Sequence, residues 1–441
     1  MFRITSRLSA LVALLLLSPA GWSESVLKEG DRLAICGDSI TEQKVYSVYI
    51  EDYILMCQPV REVKPMQCGW GGTNAPHFAG HMKYDVLTLQ PTVATTSYGM
   101  NDGGYDGSNA ASDQSYRNGL QKIVENFKQG NTRIVIVGSP GVVDSFYFKN
   151  PHNANISAKD YNQTLGHLGD IAKEVAAAQG VRFADVHGAM MAAMAKAKAK
   201  LGENYPVTGE IDGVHAGPNG HLIMAYAYLK GMGCDGNIGT ISFDAGSGKA
   251  TATEGQRVIS SNMHEIVLES SRYPFCFFCG TQDADKTSAL STTTGWKNGN
   301  AAILPFLPFN EELNRYVLVV KNFPAARAKI TWGEQSKEFS AAELSKGVNL
   351  AAEFLKNPFA KPFLEVQRVI ESKQAFETTF IKDFVSDKER SLMQTLPQEA
   401  PMLKSIEGGY RDVHRAFLDH CAQAVKPVTH TIKIEAAGAP A

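Results

Sequence analysis

The sequence predicts an α/β fold in its first half, followed by a β-rich module and a helical segment. Short apolar runs alternate with helical segments from about residue 30 to 235, strand-like runs separated by turns follow to about residue 340, and helical periodicity then returns. Alternating strands and helices are typical of a mainly parallel sheet with helices on both faces. At 441 residues and 44% hydrophobic content, the chain is ample for two domains.

The parallel sheet is expected to have five strands, covered by five helices. Each strand is a short apolar run, and the five lie at Leu33 to Cys36, Val63 to Gln67, Thr92 to Ser97, Arg133 to Val137 and Arg182 to Asp185. The helices are expected near 41–57, 77–89, 114–129, 158–179 and 219–231. We assign residues 24–235 to this domain.

The pattern changes after the glycine-rich stretch 231–239. Residues 236–340 are expected to form a small antiparallel module, with strands at Thr240 to Phe243, Arg257 to Ser260, His264 to Leu268, Tyr316 to Val320 and Ala328 to Trp332. Residues 341–425 show helical periodicity, and residues 426–441 are expected to be a tail with a disordered end.

Aromatic side chains of the second half have two candidate uses. The stripe Phe354, Phe359 and Phe363 needs a partner surface, which the first domain could supply. Trp296 and Trp332 are the tryptophans that the β module offers for stacking on a sugar; burial in the module is the alternative.

The N-terminus has the pattern of a secretory signal peptide. Arg3 and Arg7 precede an apolar run, Leu8 to Leu17, and small residues follow the run. The run is too short to span a bilayer, and no later segment is long enough to do so. We therefore expect residues 1–23 to be removed and the protein to be exported, to the periplasm or the medium. The formal charge of −2 gives no basic field for nucleic acid.

Seven cysteines in an exported chain raise the question of disulfides, and their odd number leaves at least one thiol free. Cys276 and Cys279 form a Cys-x-x-Cys pair, which occurs in redox motifs and in half zinc sites. No second pair follows, so a structural thiol pair or a disulfide is favoured over a metal site. Cys57 and Cys68 are a second candidate bridge, which the sequence leaves open.

Ser39 is the first candidate for chemistry. It lies in Gly37-Asp38-Ser39-Ile40-Thr41, where a predicted strand turns into a predicted helix. In an open parallel sheet this is the carboxyl edge, where ligands bind, and the positive end of the helix dipole is close by. A serine there can attack a carbonyl carbon if a base takes its proton. The alternative is an ordinary helix N-cap, a position that Ser and Asp favour.

The base is expected to be His215, in Asp212-Gly213-Val214-His215. A spacing of three lets one turn bring the carboxylate of Asp212 to Nδ1 of the imidazole and leaves Nε2 free to face Ser39. A polar loop with a surface histidine is the alternative for this segment on its own. His221 begins a predicted helix and is expected to anchor that helix rather than to transfer protons.

Two further segments contain turns that can place hydrogen-bond donors for a developing negative charge. In Gly69-Trp70-Gly71-Gly72-Thr73, glycine allows a tight turn after a strand and close approach to a ligand. In Gly99-Met100-Asn101-Asp102, Asn and Asp are also frequent turn formers, and Asp102 is expected to be structural.

Together the four segments resemble the four signature blocks of the SGNH (GDSL-type) esterase and acylhydrolase family. The resemblance covers about residues 30–235 and implies a flavodoxin-like three-layer α/β/α sandwich with a five-stranded sheet. It implies Ser39 as the nucleophile, with His215 as the base and Asp212 as its orienter. The oxyanion donors would be the N–H groups of Ser39 and Gly72 and the side chain of Asn101. Many relatives have a polar residue at the place of Gly71, so a register shifted by one residue stays open.

The resemblance implies a carboxylic ester hydrolase that works through an acyl-enzyme, without a metal or an organic cofactor. Export favours a small ester or an acetylated carbohydrate as the substrate, with acetyl as the acyl group. A lipid or thioester acylhydrolase and a sugar O-acyltransferase would use the same residues. A non-catalytic binding protein would be expected to have lost Ser39 or His215, and both are present.

Overall fold

Five short apolar strands pair in parallel in the first half of the chain. They are β1 (Arg32–Gly37), β2 (Lys64–Gly69), β3 (Val93–Ser97), β4 (Ile134–Gly138) and β5 (Arg182–Ala184), and their order in the sheet is β2-β1-β3-β4-β5. The computed structural model describes residues 25–58, 60–207, 209, 212–278, 299–382 and 388–437. The predicted strands are confirmed, and their order is that of a flavodoxin-like sheet.

Helices cover both faces of this sheet and bury an apolar core on each side. They are α1 (Ser39–Glu42), α2 (Tyr46–Asp52), α3 (Ala75–His81), α4 (Ala110–Gln129), α5 (Ala158–Gln179), α6 (Val186–Leu201) and α7 (Pro218–Gly231). A π-helical turn at Tyr53–Cys57 continues α2, and Val86–Leu89 is a 3-10 turn. The three-layer α/β/α class is confirmed.

Three helical features differ from the sequence expectations. The helix expected near 77–89 ends at His81, and a turn separates it from the 3-10 turn at Val86–Leu89. α6 was not predicted, because its Ala- and Lys-rich sequence has a high helix propensity but no clear apolar stripe. The helix expected over 41–57 is split between α1 and α2, since Lys44 has a left-handed φ of 59°. The split leaves Ser39 at the first position of α1 and Glu42 at the last.

The second half of the described chain contains two more sheets. One is mixed, in the order β13-β10-β6-β7, and consists of β6 (Asn237–Asp244), β7 (Lys249–Ala252), β10 (Arg315–Lys321) and β13 (Val348–Asn349). The other is antiparallel, in the order β12-β11-β14-β9-β8, and consists of β8 (Gln256–Ser261), β9 (Glu265–Ser270), β11 (Arg327–Trp332), β12 (Gln335–Ser340) and β14 (Val428–Ala436). The expectation of a wholly antiparallel module is corrected, because β6 and β10 pair in parallel.

β14 corrects the expectation that residues 426–441 are a tail. The strand pairs with both β9 and β11, so it lies in the middle of the antiparallel sheet. Its His430, Ile432 and Ile434 are buried and alternate with more exposed residues. This period of two follows from a strand with one face on a core, and it is visible in the sequence over this short stretch. Residues 438–441 lie outside the described ranges.

Trp332 is a core residue of the β module and not a platform for a sugar. Its side chain is 0% exposed and stacks on Tyr316, with 5.4 Å between the ring centroids. Its Nε1 donates a hydrogen bond to Nδ1 of His430 at 3.1 Å, which satisfies the indole inside the core. The other expected platform, Trp296, lies outside the described residues.

The cysteines within the described ranges are buried and free. Cys57 and Cys68, the candidate bridge that the sequence leaves open, are both free thiols. Cys276 is also a free thiol, while its expected partner Cys279 and the expected signal peptide at 1–23 lie outside the described residues. Across the described ranges, no helix combines the length and the apolar character needed to cross a bilayer.

Six helices follow in the second half of the described chain, and α11 among them packs back onto elements of the first domain. They are α8 (Phe309–Glu312), α9 (Ala341–Lys346), α10 (Leu350–Glu353), α11 (Ala360–Thr379), α12 (Lys388–Thr395) and α13 (Ala400–Ala424), with 3-10 turns at Asn300–Phe306 and Pro397–Glu399. α11 lies against α2 and β2, and α13 lies against α11. The phenylalanine stripe contacts the β module instead, because Phe359 meets Tyr316 and Phe363 meets Phe275.

Candidate active site

Ser39 lies at the carboxyl edge of the parallel sheet, directly after β1. Asp38, rather than Ser39, is the N-cap of α1, since its side chain accepts a hydrogen bond from the N–H of Ile40 at 3.0 Å. The hydroxyl of Ser39 is therefore not used for capping. Its Oγ lies 2.8 Å from Nε2 of His215. A serine hydroxyl in contact with an imidazole nitrogen is the arrangement that general-base activation requires.

Asp212 holds the other side of the His215 ring. Its Oδ2 lies 2.6 Å from Nδ1 of His215, while its Oδ1 accepts the N–H groups of Val214 and His215 at 2.8 and 2.9 Å. The turn between them depends on Gly213, whose φ is +74° and whose added Cβ would lie 2.3 Å from Cα of Phe148. The structure thus brings Ser39, His215 and Asp212 into one line of hydrogen bonds.

Asp212 and His215 each stabilise the charged form of the other. Partial burial opposes ionisation of Asp212, but hydrogen bonds from His215 and from the N–H of Val214 outweigh it and lower the pKa to about 2. The hydrogen bond to Asp212 raises the pKa of His215 above its ordinary value, against the opposing effect of burial. The carboxylate stays charged at any working pH and stabilises an imidazolium that forms during proton transfer.

His221 remains outside the line of proton transfer. Its ring is fully buried, its Nδ1 accepts the N–H of Tyr46 at 3.3 Å, and its Nε2 lies 3.2 Å from Oε1 of Gln43. Burial and the charge of His215 lower the pKa of His221 to about 3, so the ring stays neutral. It ties the start of α7 to the segment between α1 and α2, which agrees with the anchoring role expected for it.

The expected oxyanion donors come from two neighbouring turns that bind each other. Nδ2 of Asn101 donates to the carbonyl of Thr73 at 3.0 Å, and the second hydrogen of this amide is left for another acceptor. Gly72 is exposed and has a φ of +74°. The N–H of Gly71 is already donated to Oε2 of Glu42, so the geometry favours Gly72, not Gly71, as the donor of this turn. Ser39 adds its N–H from the first turn of α1, where helix N–H groups lack partners within the helix.

Asp102 supports the turn that carries Asn101. Its Oδ1 accepts the N–H of Ala75 at 2.9 Å, and burial raises its pKa to about 6. Its Oδ2 is buried with no partner among the described residues. Burial raises the pKa of Asp38 to about 7, and the charge of Asp102 adds to this shift. The buried carboxyl group of Asp38 and the half-buried one of Asp102 therefore interact beside the candidate site, and the structural assignment of Asp102 fits its contacts.

Tyr105 is a residue beside the site that the sequence did not point to. Its φ of 58° is left-handed, a backbone conformation that residues other than Gly, Asn and Asp rarely adopt. The N–H of Tyr105 donates to the hydroxyl of Tyr161 at 3.3 Å, and its carbonyl accepts Nδ2 of Asn150 at 2.7 Å. Burial and the charges of Asp38 and Asp212 raise its pKa to about 12, so its hydroxyl lies within the field of the site and stays protonated.

A buried ion pair supports the segment that carries Asp212. The N–H of Asp144 donates to the carbonyl of Gly213 at 2.8 Å, and Oδ1 of Asp144 accepts Nζ of Lys198 at 2.8 Å. Both side chains are nearly inaccessible, at 0% and 4% exposure. No motif marks Asp144 or Lys198 in the sequence, because they meet only when α6 packs beside the sheet.

The arrangement has parts that acyl transfer requires: a hydroxyl in contact with an imidazole, a carboxylate that orients the ring, and the expected oxyanion donors in neighbouring turns. Among the described residues, no three His, Cys, Asp or Glu side chains are placed to hold a metal ion. The contact between Oγ of Ser39 and Nε2 of His215 supports attack of the Ser39 hydroxyl on an electrophilic carbonyl carbon.

The GDSL-like Lipase/Acylhydrolase family model matches residues 35–223, which include Ser39, Gly72, Asn101, Asp212 and His215. No curated protein sequence matches the chain.

Among solved structures, a gut microbial diltiazem-metabolizing enzyme is similar over 94% of this chain and 99% of its own, with 23% identity and a TM-score of 0.72. That similarity shows a shared fold that includes the C-terminal half.

Two further structures match 47% of this chain with a TM-score of 0.38. One is an acetylxylan esterase from Geobacillus stearothermophilus, with 18% identity over 95% of its length. The other is an alpha/beta hydrolase enzyme from the metagenome of Lake Arreo, Spain, with 21% identity over 97% of its length.

Proposed function

We propose that this chain, whose residues 35–223 form a GDSL-like lipase/acylhydrolase domain, is an exported serine esterase that removes a short acyl group, acetyl above all, from a carbohydrate. The family makes the domain a carboxylic ester hydrolase. The observation that carries the catalytic assignment is the continuous line from Oγ of Ser39 through the ring of His215 to Oδ2 of Asp212, with contacts of 2.8 and 2.6 Å.

The proposed reaction has two halves. Oγ of Ser39 attacks the ester carbonyl carbon while Nε2 of His215 takes the hydroxyl proton, and the carbonyl oxygen becomes an oxyanion. The N–H groups of Ser39 and Gly72 and Nδ2 of Asn101 hold that oxygen. Collapse expels the alcohol, which receives the proton from His215, and leaves an acyl-enzyme. Water then attacks the acyl carbon with His215 again as the base, which releases the carboxylic acid and restores Ser39.

The exposure of the site supports a substrate that remains largely in solvent. The side chains of His215 and Asp212 are 37% and 42% exposed, and Gly71 and Gly72 are exposed at the rim. A polymer with pendant acetyl groups can present an ester to such a rim, whereas a long acyl chain needs an enclosed apolar channel to leave water. The signal-peptide pattern at 1–23 supports export and so favours an extracellular polymer.

Acetate release from acetylated polymers tests the proposal. The substrates are acetylated xylan, mannan, pectin and amino-sugar polymers, run beside p-nitrophenyl esters of increasing chain length, with diltiazem as a non-carbohydrate compound. We expect acetate from one polymer and a steep fall in rate beyond short acyl chains. Rates that rise with acyl chain length, together with no acetate release from any polymer, would contradict the carbohydrate assignment and favour lipid esters or thioesters. Acyl transfer to an added sugar at the expense of acetate would indicate a transferase.

The nucleophile assignment has its own test. We expect Ser39→Ala to lower kcat by ~10³-fold or more while the melting temperature stays near that of the wild type, because Ser39 is a partly exposed residue outside the core. Ser345→Ala, which removes an exposed hydroxyl from α9, is the matched control and should keep full activity. Near wild-type turnover of Ser39→Ala on p-nitrophenyl acetate would contradict the proposed mechanism.

A further inference from the structure

We propose that the C-terminal helical segment completes the active site through Lys382, a positioning residue that holds Glu42 and, through it, the turn Gly69–Thr73. This turn carries Gly72, so the inference rests on the proposed function and deepens it. Lys382 lies in the π-helical turn that continues α11, three residues beyond its end, and it is 340 residues from Glu42 in sequence. The segment beyond the family match therefore has a role in the chemistry and not only in packing.

Glu42 is the link between the nucleophile and the oxyanion turn. It ends the short helix α1 that Ser39 begins, and its Oε2 accepts the N–H of Gly71. Its Oε1 accepts Nζ of Lys382 at 2.8 Å. One carboxylate thus connects the helix of the nucleophile, the turn that presents Gly72 and the C-terminal segment. A charged acceptor makes the hydrogen bond from Gly71 stronger than a neutral one would.

Lys382 makes a second contact with the same turn. Its Nζ lies 5.4 Å from the centroid of the Trp70 ring, a cation–π distance, and the N–H of Trp70 donates to the carbonyl of Gly37 at 2.9 Å. The Lys382 and Glu42 side chains are 29% and 25% exposed, so the pair is partly shielded from water. The ammonium therefore fixes both the carboxylate that holds Gly71 and the ring beside it.

The end of α11 is itself fixed to the strand and helix that flank the turn. Oε2 of Glu377 accepts the N–H of Gln67 at 2.9 Å, and the hydroxyl of Thr378 donates to Oε1 of Gln67 at 3.0 Å. Nε2 of Gln67 in turn donates to the carbonyl of Thr41 at 3.0 Å. These bonds set the distance from α11 to α1, and Lys382, one helical turn beyond Thr378, is thereby aimed at Glu42.

The turn needs this support because of its composition. Gly71 and Gly72 are adjacent, exposed and without side chains that could pack. Two successive glycines give the peptide between them wide freedom to rotate, and rotation would turn the Gly72 N–H away from the oxyanion. Donors stabilise a transition state only if their orientation is fixed before the reaction. Glu42, held by Lys382, fixes the peptide before Gly71 through its N–H, and the hydrogen bond from the N–H of Thr73 to the carbonyl of Trp70 at 3.2 Å closes the turn around the peptide between the two glycines.

The test compares three variants on p-nitrophenyl acetate. Lys382→Ala removes the ammonium, and Lys382→Arg retains a cation that can reach Glu42. Lys337→Ala is the matched control, since Lys337 pairs with Glu353 at 2.8 Å and lies over the Phe354 ring at 5.9 Å, in the β module. The measurements are kcat, KM, the melting temperature, and Ki of methyl trifluoromethyl ketone. The adduct of this ketone with Ser39 carries an oxyanion.

We expect Lys382→Ala to lower kcat by about 10-fold to 10²-fold, which is the cost of a small displacement of a reacting or stabilising group. KM should change by less than about threefold, and Ki of the ketone should rise in parallel with the fall in kcat, because both depend on the oxyanion donors. Lys382→Arg should recover most of the activity, and Lys337→Ala should keep all of it. Melting temperatures near that of the wild type show that the folded state is retained.

An unchanged kcat in Lys382→Ala would overturn the inference, and so would a loss of kcat with no change in Ki of the ketone. An equal loss in Lys337→Ala would also overturn it, because the effect would then be one of general stability. Failure of the proposed function would be seen differently: the Ser39→Ala variant would keep its turnover, independently of the kcat of Lys382→Ala.

Discussion

At the scale of single residues, the imidazole of His215 lies between two oxygens, which fix its orientation and its tautomer. His215 contacts Oγ of Ser39 on one side and the carboxylate of Asp212 on the other. Asp212 also accepts two backbone N–H groups, which fix its plane and therefore the plane of the ring. This arrangement favours the tautomer with the proton on Nδ1, since Nε2 must be free to receive the proton of Ser39.

The pH profile follows from the raised pKa of His215. The base must be neutral, so kcat/KM should rise with pH as His215 loses its proton, with a midpoint above 6.5. In Asp212→Asn the hydrogen-bonded charge that raises this pKa is lost, so the midpoint should move to lower pH. The pKa of Asp212, about 2, keeps its carboxylate ionised through this range, so it adds no second acid limb. The measurement is kcat/KM from pH 4 to 9.

Substitution of His215 should lower kcat more than substitution of Asp212. We expect His215→Ala to lower the plateau kcat by ~10³-fold or more, and Asp212→Asn by roughly one to two orders of magnitude less, because orientation is one part of what the base supplies. Asp113→Asn is the control: Asp113 lies 3.0 Å from Nε2 of His167 in an exposed pair on the surface. A profile of Asp212→Asn that coincides with the wild type would remove Asp212 from the mechanism.

At the scale of elements, α11 is attached to the first domain by buried charge. Nζ of Lys373 donates to Oε1 of Glu377 at 2.7 Å and to the carbonyl of Pro65 at 2.8 Å, and it lies 3.1 Å from Oε2 of Glu51. Burial raises the pKa of Glu51 to about 7, against the charge of Lys373. Burial also opposes ionisation of Glu377, but Lys373 and the hydrogen bond from His414 hold its pKa below the ordinary value.

Removal of the buried ammonium should destabilise the protein strongly. We expect Lys373→Met to lower the free energy of unfolding by about 3–5 kcal/mol at pH 8, because two buried carboxylates lose their counter-charge. The loss should be smaller at pH 5, where Glu51 and Glu377 can take up protons in the variant. The measurement is chemical denaturation at the two pH values.

Lys382→Met is the comparison for this prediction, because the Lys382 pair is partly exposed. It should lower the free energy of unfolding by about 1 kcal/mol or less. Equal losses in the two variants would contradict the distinction between an attachment by Lys373 and a positioning contact by Lys382.

At the scale of the whole molecule, the C-terminal half covers part of the first domain. Tyr49 and Tyr53 are 0% exposed, and both rings contact Phe275, at 6.1 and 6.4 Å between centroids. Tyr53 also donates its hydroxyl to the carbonyl of Leu313 at 2.7 Å. The apolar core on this side of the sheet is shared by the α/β part and the β module, so the two are one cooperative body.

A truncation near Gly236 should therefore fail to give a stable enzyme. Removal of the following residues uncovers Tyr49 and Tyr53 and leaves Glu51 and Asp52 without Lys373 and the other groups of α11. We expect the shortened protein to lack a cooperative thermal transition and to have less than about a hundredth of the wild-type kcat. The checks are a melting curve by circular dichroism and turnover of p-nitrophenyl acetate. A soluble fragment with wild-type kcat would contradict this expectation and the role of Lys382.

Features that depend on a local residue pattern can be predicted from the sequence, whereas contacts that depend on long-range packing cannot. The five strands of the first sheet follow from apolar runs, and the triad candidates follow from spacing that one turn can satisfy. α6 is missed because its apolar stripe is weak, and β14 is missed because its alternating pattern lies directly before the small residues that end the chain and resemble a tail. Lys382 has no local signal at all, since its partner Glu42 is brought near only by the packing of α11.

The central position of β14 also sets the order in which the antiparallel sheet can assemble. His430 in β14 bonds Trp332 in β11 and Ser270 in β9, contacts that join residues 98 and 160 positions apart. Until β14 is in place, β9 and β11 each have an unpaired edge facing the same gap. Contacts of this separation form late and slowly, and open edges can recruit strands of other chains. During refolding, aggregation through these two edges should compete with insertion of β14.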